Sequence, residues 1–290
     1  MSHFVVYVLT DKVPATANEA ESELMESFLP FQEEADEEYM EFVDIEDEYR
    51  EKYKTQTRTM LRHRVTKIVE DPYAKRFENP MDIGTRIRMK APQHIVPPEY
   101  EEIEMPMNQI YKTFDKFMKD YGGHEKPDGR DRYGYYANPN AKWDWFVVGG
   151  RWMGCLEENY DPRKDPENLE TCTYCNGTGR RTDEVGRANK HLQEKCNGCE
   201  GTGKKLKWHL REIGWSAPVS RLAAYKGDKF KEMSMPFAFL TPDGEWIEEG
   251  EMGWWGCVSS QKKKSDWKAD VKRVYKKYPN HYVIAVDCHI

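Results

Sequence analysis

Two short stretches of the chain share one frame. Cys172-Thr173-Tyr174-Cys175-Asn176-Gly177-Thr178-Gly179 is followed, twenty residues after its second cysteine, by Cys196-Asn197-Gly198-Cys199-Glu200-Gly201-Thr202-Gly203. Each is a C-x-x-C-x-G-x-G unit. Two residues between thiols let both sulfurs of a pair reach one ion from a single turn, and a second such turn closes a tetrahedral shell of four thiolates. The glycines permit positive φ where the backbone doubles back after the second cysteine. Main-chain amides can then point at the sulfurs. The pattern predicts one structural zinc ion held by Cys172, Cys175, Cys196 and Cys199. Four cysteines that merely pack would not need two matching frames. A catalytic ion would keep an open position and draw a histidine or carboxylate into the set; His191 is the neighbour available for that.

The other cysteines, Cys155, Cys257 and Cys288, are scattered. That usage suits a reducing cytoplasm rather than a disulfide framework. No apolar run approaches the roughly 20 residues that span a bilayer, so no membrane role is expected. The N-terminal stretch lacks the basic leader and small-residue cleavage site of a signal peptide. With 290 residues, 38% hydrophobic and 13% aromatic, the chain can build a core, unlike a disordered chain poor in aromatics. Its net charge of −7 is unevenly spread. Glu19–Glu51 holds fifteen Asp or Glu against Arg50 alone, whereas Cys172–Arg211 holds nine Lys or Arg against four acids. Each segment reads either as a solvated face or as a charged binding surface.

Local patterns predict a strand at 4–10 and helical pieces around Glu19–Phe28 and Glu34–Tyr53. Pro72, Pro80, Pro92, Pro97, Pro98 and Pro106 then break the chain. Ile110, Phe114, Phe117, Met118 and Tyr121 fall on one helical face over 108–121, with Asn108 as cap and Gly122-Gly123 as stop. Trp143–Val148 reads as a strand. Pro236–Leu240 and Glu245–Ile247 flank a tight turn at Thr241-Pro242-Asp243-Gly244. A second helix, capped by Ser265, carries the stripe Trp267, Val271, Val274, Tyr275 and Tyr278, and His281–Cys288 is a last strand. This order predicts an α+β fold with a ferredoxin-like βαββαβ core and both helices on one face of the sheet. The core would comprise 1–10, 106–155 and 211–290. An acidic, partly helical insertion (11–105) and a zinc hairpin (156–210) would be inserted into it.

The cysteine units resemble the cysteine-rich domain of DnaJ-type chaperones, which has four such units and two zinc ions; two units here imply one ion. The resemblance covers about thirty residues. No J domain with its His-Pro-Asp is present, so co-chaperone activity does not carry over. Arg180, Arg181, Lys204, Lys205 and Lys207 flank the units and are the candidate contacts for nucleic acid.

The most distinctive other segment is Asn138-Pro139-Asn140-Ala141-Lys142-Trp143-Asp144-Trp145-Phe146-Val147-Val148-Gly149-Gly150-Arg151-Trp152. As architecture it is a core strand ending in a bulge. As a pocket, Trp143, Trp145 and Trp152 would stack a planar base, Arg151 would pair with a phosphate and Asp144 would accept hydrogen bonds. This segment, with Met1–Phe4 and Val283–Ile290, resembles phage-encoded proteins that open Met-Ser-His-Phe and carry Asn-Pro…Lys-Trp-Asp-Trp…Gly-Gly-Arg-Trp. That family has no assigned activity, so the resemblance implies a phage origin and a host cytoplasm. If the first and last strands pair antiparallel, His3 comes beside Asp287 and His289, a possible metal or acid–base constellation or simply two edge histidines. Cys288 would face away.

No Walker loop, Gly-x-Ser-x-Gly elbow or His-Glu-x-x-His motif is present. The leading expectation is therefore a zinc-containing binding protein that engages host protein or nucleic acid in a regulatory or anti-defence role. The alternative is a nucleotide-binding or nucleotide-modifying protein using the Trp143–Trp152 segment. A chaperone-like or purely structural role is the weakest reading.

Overall fold

The chain opens on β1 (His3–Thr10), whose Phe4, Val6 and Val8 face one core and whose Tyr7 and Leu9 face another. A computed structural model describes residues 2–70, 96–181, 183–184, 195–253 and 256–290. His191, Pro72, Pro80 and Pro92 lie outside the described residues. The described residues form two compact units, Met1–Tyr39 with Asn138–Ile290, and Met40–Ala137.

Helix α1 (Ala17–Phe28) follows β1. Thr16 Oγ1 accepts from the Glu19 amide, and the Glu19 carboxylate accepts from the Ala15 amide. The first bond satisfies an amide that the first helical turn would leave unpaired, and the second ties the chain entering the helix back onto it. Ala17, Ala20, Leu24 and Phe28 form its buried stripe.

The second unit contains β2 (Glu41–Asp44), α2 (Glu46–Thr55), β3 (Thr57–His63), β4 (Val69–Glu70) and β5 (Tyr100–Pro106). It continues through two single-turn helices, α3 (Met107–Ile110) and α4 (Phe114–Phe117), to β6 (Gly134–Ala137). Strands β4, β3 and β5 make one sheet, and β2 pairs β6. Ile45, Met107, Tyr111, Phe117, Met118 and Tyr133 are its core. The continuous helix expected over 108–121 is broken. Thr113 caps α4 through its side chain, which accepts from the Lys116 amide, and a wide turn over Met118–Gly122 ends at left-handed Gly123. Its apolar residues serve this unit, so the amphipathic segment assigned to the main sheet does not belong there. The acidic segment is likewise divided: α1 belongs to the first unit and β2–α2 to the second.

The first unit resumes with β7 (Trp145–Val148), β8 (Leu169–Thr171), β9 (Lys204–Leu206) and β10 (Ser216–Pro218). Helices α5 (Val219–Ala224) and α6 (Gly227–Ser234) lead to β11 (Ala238–Leu240) and β12 (Trp246–Glu248). Gly244, at φ 77°, closes the turn between the last two strands. A ribbon, β13 (Glu251–Met252) with β14 (Val258–Ser259), precedes α7 (Lys264–Lys277) and β15 (Tyr282–His289). Lys263, not Ser265, is the α7 cap position, and Ser265 bonds Asp266 inside the helix. The buried stripe Trp267, Val271, Val274 and Tyr275 is as expected.

The main sheet runs β10-β15-β1-β11-β12, with β7 also on β15. β15 is antiparallel to β1 from His3↔His289 to Thr10↔Tyr282, and β11 is parallel to β1. These neighbours agree with a ferredoxin-like order, but two features depart from it. The 145–148 strand pairs the last strand instead of the third. The helices also lie on opposite faces: α1 packs in the cluster with Phe4, Trp143, Phe146 and Val286, and α5, α6 and α7 pack in the cluster with Tyr7, Phe239 and Ala285. The cause is visible in β1 and β15, which are apolar on both sides and must be covered twice.

Candidate metal centre and sheet-end cluster

β8 and β9 pair antiparallel, Leu169↔Leu206 to Thr171↔Lys204, and deliver the two cysteine units to each other. The units share several bonds in matching positions. The Cys172 amide donates to Gly203 O and the Cys196 amide to Gly179 O, at 3.0 and 2.9 Å. Thr178 Oγ1 donates to Cys175 O and Thr202 Oγ1 to Cys199 O, both at 2.7 Å. Gly179 and Gly203 have φ of 73° and 75°. A Cβ on either would sit 2.3 or 2.2 Å from the carbonyl oxygen of Gly201 or Gly177, so only glycine fits where the knuckles cross.

The four sulfurs all lie within 4.8 Å of one another and can hold a metal ion. Two of the separations are 3.9 Å (Cys172–Cys196) and 3.7 Å (Cys175–Cys199). A tetrahedral ion with metal–sulfur bonds of about 2.3 Å requires sulfur–sulfur edges of about 3.8 Å. Cys172, Cys175 and Cys196 are fully buried and Cys199 nearly so. Burial pushes the Cys199 thiol up, but hydrogen bonds from the Gly203 and Gly201 amides and from the Cys175 and Cys196 thiols together outweigh it and hold it below its ordinary value. The Gly203 amide is 3.2 Å from that sulfur. Burial raises Cys196 instead. Four buried thiols cannot all ionise beside one another unaided, and a divalent cation removes that conflict. Of the other cysteines, Cys288 is sealed in the core and burial pushes Cys155 up to about 12.

Most of the flanking cations are already engaged. Arg181 pairs with Asp183 and bonds Asn197, Lys205 pairs with Glu170, and Lys207 Nζ donates to Glu167 O. Lys204 Nζ reaches Thr171 Oγ1 at 3.5 Å. Trp208, which sequence reasoning passed over, is 77% exposed directly after Lys207. Tyr174 is also exposed, with the Arg181 guanidinium 5.1 Å over its ring. Asn168, wholly buried, accepts from the Arg211 amide and donates to Tyr160, fastening the base of the module.

At the far end of the sheet, β7, β15 and β1 place Trp145, His289 and His3 side by side. His3 Nδ1–H donates to Asp287 at 2.8 Å, and His289 Nδ1–H donates to Asp144 at 2.6 Å. A carboxylate only accepts, which places a proton on each Nδ1. The imidazoles are 4.9 Å apart edge to face, and Trp145 stacks on His289 at 5.1 Å. The expected approach of His3 to Asp287 is therefore present. The Asp144–His289 pair was missed, because it depends on the register between β7 and β15. Among the described residues, His289 Nε2 is buried without a partner. Among the described residues these side chains do not converge as a metal-binding group.

The candidate pocket residues differ in exposure and in what they bond. Trp143 is 2% exposed; its Nε1–H donates to Phe28 O and its ring packs on Phe146. Asp144 also accepts from the Trp145 amide. Arg151 uses its amide, which donates to Asp287 Oδ2 at 2.9 Å, while its side chain is exposed. Trp152 is half-buried in the turn after Gly149. Gly150 is required there: a Cβ would lie 2.5 Å from Asp287 Cβ. No described helix is long and apolar enough to cross a membrane. No protein-family model, curated protein or solved structure matches the chain.

Proposed function

We propose that this chain is a zinc-containing binding protein: one structural zinc ion joins Cys172, Cys175, Cys196 and Cys199, and the rim of that module takes single-stranded nucleic acid. Zinc is the ion that four thiolates at these separations suit, and a closed shell leaves it a structural part. The observation that carries the binding role is Trp208, 77% exposed and next to Lys207 in the chain. A base stacks on such a ring while lysines meet the phosphates. The ion pairs of Arg181 and Lys205 are partly exposed, and exposed pairs are weak enough to exchange for phosphate. Likeness to phage proteins at Met1–Phe4 and Asn138–Trp152 makes host nucleic acid the partner in view, and a host protein the substitute.

Fluorescence anisotropy with a labelled single-stranded oligonucleotide tests this. Binding at low salt should weaken steeply as salt rises, because phosphate contacts release counterions. Trp208→Ala and the Lys204→Ala/Lys205→Ala pair should each weaken it about tenfold with melting unchanged, a loss in the range of one stacked base. No binding at low salt would remove nucleic acid and leave a protein partner. The alternative of a nucleotide pocket at Trp143–Trp152 has less support, since Trp143 and Asp144 are committed to packing and to His289.

A further inference from the structure

Helices α5, α6 and α7 enclose a cleft of about 540 Å3, the size of a small-molecule site. Its floor is apolar and aromatic. Phe230 and Tyr275 are buried there, with Tyr225 half-buried beside them. Its rim is basic: Lys226 precedes α6, and Lys268, Lys272 and Lys276 stand along α7. Among the described residues no carboxylate lines it.

Nearby lysines show what an ordinary surface does. Lys229 pairs with Glu158, Lys231 with Asp228, Lys262 with Asp270 and Lys277 with Asp243, all at 2.6–2.9 Å. Among the described residues, none of the four rim lysines makes an ion pair. Lys268, Lys272 and Lys276 follow at i, i+4 and i+8, about 6 Å apart along the axis, a spacing at which like charges repel. The α7 C-terminus favours cations at Lys276, but Lys268 and Lys272 stand further up the helix and gain little from it. Lys268 Nζ lies 5.6 Å from the Phe230 ring centre, at the boundary of floor and rim.

A concave aromatic floor under several uncompensated cations fits a polyanion with a planar body. One carboxylate would leave most of that charge unmatched. We propose that this cleft binds a nucleoside polyphosphate, with the phosphates on Lys226, Lys268 and Lys272 and the base against Tyr225 and Phe230. Lysine serves phosphate as a mobile point charge and needs no fixed fork. The site is separate from the cysteine module and does not depend on the reading of that module.

Calorimetric titration of the full chain with ATP, sodium triphosphate and dodecanoate tests the class of ligand. ATP should bind tightest, triphosphate more weakly and dodecanoate least. Lys268→Gln/Lys272→Gln keeps good helix formers at both sites and should weaken ATP at least tenfold with an unchanged melting curve. Ala223, exposed on the cleft wall, supplies a second variant. Ala223→Trp fills the cleft without touching charge, so ATP binding should be lost and triphosphate binding retained. Absence of heat with ATP, equal ATP affinity in either variant, or dodecanoate binding as tightly as ATP would overturn the proposal.

Discussion

Replacing Asp287 by Asn tests what the sheet-end cluster is for. Asp287 is 2% exposed and accepts two bonds, from His3 Nδ1–H and from the Arg151 amide. Asn keeps the volume, but one of its two ends donates. It can accept one bond and must face the other donor with its NH2. Hydrogen bonds to charged groups contribute about 1.5–3 kcal/mol, and a buried donor left unpaired costs about 1–3 kcal/mol. The expected loss is about 2–3 kcal/mol. For a unit of this size, Tm falls about 2–4 °C per kcal/mol, which places the shift at about 4–12 °C. Asp144→Asn should cost less, about 1 kcal/mol, because that side chain is 35% exposed and water replaces its lost bond. Arg151→Lys should stay within about 0.5 kcal/mol, since among the described residues only the main chain of Arg151 is bonded. Calorimetric melting of the three variants checks the ranking. A neutral Asp287→Asn, or an Arg151→Lys as damaging as it, would refute the assignment of these carboxylates to architecture.

Two further outcomes follow from close packing. Gly179→Ala forces a Cβ to within 2.3 Å of Gly201 O at a left-handed φ; it should lower metal affinity at least tenfold in competition with a chelator, with melting of the main sheet unchanged. Trp143→Ala removes a wholly enclosed ring and its bond to Phe28 O; it should cost about 3–5 kcal/mol, read by urea denaturation.

What could be read from the sequence was local. The cysteine units are legible because each places two sulfurs and its own glycines within eight residues. β1, β15 and the 241–244 turn announce themselves through β-branched runs and Asp243-Gly244, and the α7 stripe has full helical period. Local patterns mislead where a side chain interrupts them. Thr113 caps a new turn inside a stripe that looks continuous, and Lys263 starts a helix that Ser265 suggested starting. The rest depends on register. His3 beside Asp287 followed from one antiparallel pairing, but Asp144 beside His289 joins residues far apart in sequence through a strand pairing that local pattern does not select. The side of the sheet that each helix covers is also decided globally, because β1 and β15 offer an apolar surface on both faces.

The proposed zinc ion on Cys172, Cys175, Cys196 and Cys199 is open to mass spectrometry of the purified chain, native and then denatured, across a pH series. One zinc per chain is expected at neutral pH. It should be lost as acid protonates the thiolates, and should be absent at every pH in Cys175→Ser, whose main sheet stays folded. No bound metal at neutral pH, two ions per chain, or an ion retained by Cys175→Ser would contradict it.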